Sequence, residues 1–155
     1  MGGGHAYNLG LKATAWSWLP YAVFFGGLVV FVWLAGDGPR LPPWELPAAG
    51  ALLGVGAHLV NVLPDLADDE ATGVRGLPHR IGARRLPSAA VVVLAAGSLV
   101  VALGAGLTRV TSLVALAAVA ALSAVALTGR GRVPFLAAVG IALVNVLLLV
   151  TSPVA

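Results

Sequence analysis

Four of the chain's six acidic residues fall within six positions: Asp65, Asp68, Asp69 and Glu70. Carboxylates at that density repel one another, and a cation relieves the repulsion. Asp65 and Asp69 are four residues apart, so on a continuous helix their Cβ atoms share a face at about 5–6 Å. Such a pair suits Mg²⁺, which takes one or two protein carboxylates and completes its shell with water and phosphate oxygens. His58 and Asn61 precede Asp65 by seven and four positions, on roughly the same side. They are the candidates for a substrate cavity behind the carboxylates. A second reading stands beside this one. Arg75, Arg80, Arg84 and Arg85 follow closely, and four arginines can neutralise four acids in a solvated loop that holds no metal. Spacing alone leaves both open.

The elements that must position these residues are apolar. Hydrophobic residues make up 59% of the 155 and charged residues only 10%, against about 25% charged in soluble domains. Mean hydropathy is +0.99. A surface so poor in charge fits lipid rather than water and excludes a soluble helical domain. Five apolar runs, about 18–36, 44–64, 86–107, 110–128 and 133–152, are each near the 20 residues a spanning helix needs. The sequence therefore predicts an all-α, polytopic membrane helix bundle, a single membrane domain over 1–155. Residues 1–17 form its lead-in and 65–85 its acidic and basic loop. Pro64 cannot donate to the carbonyl four residues back, so the second helix bends or ends there. Gly50 and Gly54 form a small-xxx-small pair suited to close helix packing. Asn145, alone in the fifth run, reads as interhelical glue.

Charge placement orients the bundle. Seven of the nine basic residues, Lys12, Arg75, Arg80, Arg84, Arg85, Arg130 and Arg132, lie on the side of the N-terminus if all five runs span; Arg40 and Arg109 lie opposite. Cytoplasmic loops carry the excess of Lys and Arg, so the N-terminus and the acidic loop are expected in the cytoplasm of a plasma-membrane protein. The basic residues are scattered among turns, which excludes a nucleic-acid patch. The absence of cysteine excludes disulfides and thiolate metal sites. The first residues lack the basic start and cleavage site of a signal peptide.

Residues 61–82, reading NVLPDLADDEATGVRGLPHRIG, resemble the second aspartate-rich motif of the UbiA family of intramembrane prenyltransferases. The matching positions are Asn61, Asp65, Asp69, Gly73, Arg75, Leu77-Pro78 and Gly82. Tyr7-Asn8-Leu9-Gly10-Leu11-Lys12 resembles the stretch leading into the family's fifth helix. The five runs then correspond to the last five of nine helices. The resemblance implies transfer of a prenyl group from a Mg²⁺-bound prenyl diphosphate to an acceptor. It implies Asp65 and Asp69 as catalytic Mg²⁺ ligands, Asp68 as an alternate or outer ligand, and Lys12 and Arg75 as diphosphate contacts. The family's first motif, NDxxDxxxD, does not occur in these 155 residues, so the chain is expected to be the C-terminal part of such an enzyme, incomplete without an N-terminal half. Two alternatives remain: a non-catalytic membrane protein or remnant, and another Mg²⁺-dependent membrane transferase. Of the latter, a CDP-alcohol phosphotransferase is disfavoured because Leu66-Ala67 follows Asp65.

Overall fold

The computed structural model describes residues 11–36, 40–66, 69 and 75–152. A 3-10 turn, Leu11–Ala13, precedes α1 (Leu19–Gly36) and α2 (Glu45–Val62). A short α3 (Leu77–Ile81) follows, then α4 (Leu86–Gly104), α5 (Arg109–Thr128) and α6 (Val133–Thr151). No strand occurs among the described residues. All but α3 are long and apolar enough to cross a membrane. Helices are the expected answer to such a sequence, because hydrocarbon offers the backbone no partner and a helix satisfies its own amides.

Local chemistry sets the helix ends. The second apolar run ends as regular helix at Val62, two residues before its expected limit. The amide of Leu63 bonds the carbonyl of Val60 at 3.2 Å and that of Asp65 bonds Val62 at 3.1 Å. These are three-residue closures, a tightening around Pro64, which has no amide hydrogen to give. The third run ends at Gly104 rather than 107, and the chain turns through Gly106 at φ +67°, a left-handed conformation natural to glycine. The Thr108 hydroxyl caps α5, accepting from the Thr111 amide at 3.1 Å. Proline opens α3, α4 and α6, where its missing donor is harmless. Part of the expected 65–85 loop is thus helix, at α3.

Packing is centred on α2, which touches α1 on one side and α4 and α6 on the other. Helices α2, α4 and α6 pack mutually, and α5 lies against α4 and α6. The α1–α2 seam is built on glycine, as the Gly50–Gly54 spacing suggests. A Cβ on Gly54 would lie 2.6 Å from the Tyr21 carbonyl oxygen, and one on Gly50 3.0 Å from that of Phe25. The backbones therefore approach as only hydrogen side chains allow. Beyond that seam α1 stands apart. Its only buried residue is Gly26, and Phe24, Phe31 and Val32 project outward.

Asn145 is fully buried between α6 and α4. Its Nδ2 donates to the Leu94 carbonyl at 2.9 Å, and its Oδ1 accepts from the Ser98 hydroxyl at 3.1 Å. Interhelical hydrogen bonds of this kind average about 0.6 kcal/mol in a membrane, with a ceiling near 1.7. The glue expected of Asn145 is this network.

Candidate functional site

The acidic stretch leaves α2 at the proline tightening and then returns to helical geometry. The Asp69 amide donates to the Asp65 carbonyl at 2.9 Å, the four-residue closure of an α-turn. The two aspartates therefore lie on one face, one turn apart. Asp65 is exposed and Asp69 half-buried. Asp68, the outer ligand expected from sequence, lies outside the described residues, as does Glu70. Among the described residues no group of three or more His, Asp or Glu side chains could hold a metal ion. A pair is nevertheless what Mg²⁺ needs when a diphosphate supplies further oxygens.

Asn61 sits one turn before Asp65, exposed, at a groove of about 180 Å³ between α2 and α6. The groove wall is otherwise apolar, with Ala57 and Val60 on one side and Ala142 and Leu143 on the other. Asn61 is its sole polar lining residue. The arrangement is an apolar groove with one amide in its wall, that amide one helical turn before Asp65 in the chain. A second groove, between α5 and α6, is lined by Val110, Val114, Leu147 and Thr151. These residues belong to the opposite end of the bundle, remote from the acids.

His58 lies elsewhere. It is 2% exposed and does not line the groove with Asn61. Its ring stacks on Tyr21 of α1, centroids 4.3 Å apart. Its Nε2 lies 3.3 Å from the hydroxyl of Ser17, just before α1. The same hydroxyl accepts from the amide of Leu77 at 3.0 Å. Sequence reasoning missed Ser17, and no local signal marks it, because its partners lie 41 and 60 residues away. These contacts bring the start of α1, the end of α2 and the start of α3 to one end of the bundle.

The run after the aspartates also acquires a structural reason. Leu77-Pro78 opens α3 and Gly82 closes it. Gly82 adopts φ +82° and ψ 150°, a region essentially restricted to glycine. Its amide bonds the Pro78 carbonyl at 2.9 Å, and its own carbonyl accepts from Arg85 and Leu86 at 3.0 Å each. It is the pivot from α3 into α4. Arg75, Arg80, Arg84 and Arg85 are all exposed around this pivot. Lys12 lies in the 3-10 turn, and its side chain is outside the described residues.

Comparison with curated proteins and with solved structures returns no match. Comparison with protein-family models matches residues 1–134 to the model described as the UbiA prenyltransferase family.

Proposed function

The chain belongs to the UbiA prenyltransferase family, and on that premise we propose that it forms the second half of a prenyl-diphosphate clamp in an integral-membrane prenyltransferase. The observation that supports this most is the Asp69–Asp65 turn, which sets two carboxylates on one face beyond the apolar groove headed by Asn61. The groove holds part of the prenyl tail, and Asn61 meets its polar end. Asp65 and Asp69 would hold Mg²⁺ at this end, with Asp68 as an outer ligand, and the metal would bind the diphosphate oxygens. Bound there, the metal supplies the positive charge that stabilises the departing diphosphate. Arg75 and Lys12 add fixed charge to the same oxygens. The dry groove keeps water from the allylic carbon until an acceptor arrives.

These 155 residues contain no NDxxDxxxD motif, so we assign the opposing carboxylates to a further segment, and turnover to the two together. The excess of arginine at this end supports a clamp that faces the cytoplasm, in a protein we assign to the plasma membrane. The test is Mg²⁺-dependent binding of a radiolabelled prenyl diphosphate to the purified chain in lipid nanodiscs. Asp65→Asn and Asp69→Asn are expected to weaken it by at least about tenfold, the loss of one charged contact. Binding that survives both substitutions, or that ignores Mg²⁺, refutes the proposal.

A further inference from the structure

The contact between Ser17, His58 and Leu77 joins three elements that are far apart in sequence, at the end of the bundle where α2 finishes. Ser17 is 1% exposed. Its oxygen is the acceptor for the Leu77 amide at 3.0 Å, the first amide of α3 and thus one with no partner inside its own helix. The hydroxyl is also within 3.3 Å of His58 Nε2. His58 is stacked on its flat side against Tyr21 and lies near the end of α2, seven residues before Asp65. One side-chain oxygen therefore links α1, α2 and the segment that returns from the carboxylates.

Two residues before Leu77 is Arg75, exposed at the same end. Gly82 makes the turn at the far side of α3, and the Ser17 bond is the restraint on its near side. We propose that Ser17, held by His58, is a positioning residue that pins the return segment so that Arg75 faces the same space as Asp65 and Asp69. The inference rests on the diphosphate clamp proposed above. The energetics favour the pin, because the half-buried Leu77 amide, left without its acceptor, bears part of the desolvation penalty of an unsatisfied donor. His58 then acts through Ser17 rather than on substrate.

The test compares Ser17→Ala with Ser17→Thr, which keeps the hydroxyl, and uses two readouts on the full chain in nanodiscs. Native-state amide exchange at Leu77 is expected to quicken by about tenfold in Ser17→Ala and to stay near wild type in Ser17→Thr, with exchange in α4 unchanged in both. Affinity for a prenyl diphosphate at saturating Mg²⁺ is expected to fall by about ten- to hundredfold in Ser17→Ala, the range for a displaced charged hydrogen bond, with recovery in Ser17→Thr. His58→Phe keeps the stack on Tyr21 and removes the ring nitrogen; it is expected to follow Ser17→Ala in affinity, and the double variant to be no worse than either alone. Unchanged exchange at Leu77 in Ser17→Ala overturns the pin. Faster exchange with unaltered affinity overturns the positioning role and leaves a structural contact. A wild-type chain that binds no prenyl diphosphate overturns the clamp and the positioning role together, while exchange at Leu77 still decides the pin.

Discussion

Replacing Gly54 with alanine adds one methyl group where two backbones come closest. The new Cβ would lie 2.6 Å from the Tyr21 carbonyl oxygen and 2.8 Å from the Phe25 Cβ, whereas ordinary contact begins at 3.4 Å. Neither neighbour is the tip of a flexible side chain, so α1 must retreat from α2 by about 0.8 Å. Overpacking of this kind costs about 1–3 kcal/mol. Gly27→Ala, on the same seam helix, is the control, since its Cβ meets nothing within 4 Å. There alanine gains helix propensity of up to about 1 kcal/mol over glycine. Gly54 also lies inside a helix, so that gain is common to both variants, and they should separate by the overpacking alone, about 1–3 kcal/mol, in reversible detergent unfolding. The chain has no cysteine, so an introduced pair reports the seam cleanly. Gly26→Cys with Ala51→Cys places the two Cβ atoms about 3.4 Å apart, near the disulfide range; the new Cβ at Gly26 also lies 3.0 Å from the Pro47 carbonyl oxygen, so the effect of Gly54→Ala, slower oxidation, is read against this cysteine pair alone. Because α1 has no other broad attachment, its retreat also draws Ser17 from His58. If Gly54→Ala proves as harmless as Gly27→Ala in both assays, the glycine seam is wrong.

Asn145→Leu should lower stability by about 1–2 kcal/mol through loss of the bonds to Leu94 and Ser98, measured by the same unfolding; an unchanged midpoint would remove the network from the energetics. Gly82→Ala should cost about 1–3 kcal/mol of backbone strain and speed exchange in α3, and no change in α3 exchange contradicts its role as pivot. A thiol at the exposed Ala83 should react only with a reagent supplied from the cytoplasm, and one at the exposed Leu41 only from outside; the reverse pattern inverts the orientation.

Much of the architecture is legible in the sequence because lipid leaves few choices. Runs near twenty apolar residues become helices, and their ends follow Pro64, Gly104 and Thr108 within a few positions. The Gly50–Gly54 pair and Asn145 are also readable, since small or polar side chains inside a span have few uses other than contact. What hydropathy does not reveal is which face of each span meets protein. A lipid-facing residue such as Phe31 and a core residue such as Leu94 look alike, so the peripheral place of α1 and the central one of α2 emerge only in three dimensions. The acidic pair illustrates a middle case. Its spacing suggests one face, Pro64 argues for a break, and both hold: a tightening, then a new turn. Ser17 was invisible because a lone serine between tryptophans carries no pattern until Leu77 and His58 fold onto it.

The Asn145 network also bears on how the bundle is assembled. Helix α6 is the last of the five spans to be synthesised, and its outer surface is nearly uniform in apolar character, so hydrophobicity alone would let it dock at several heights. Sliding it by one turn, about 5.4 Å, would strip the amide from Leu94 and Ser98 and leave it in hydrocarbon. The asparagine therefore acts as a register mark, admitting the final helix at one depth. That depth keeps Ala142 and Leu143 in one groove with Asn61, so the alignment of the groove is decided when α6 docks.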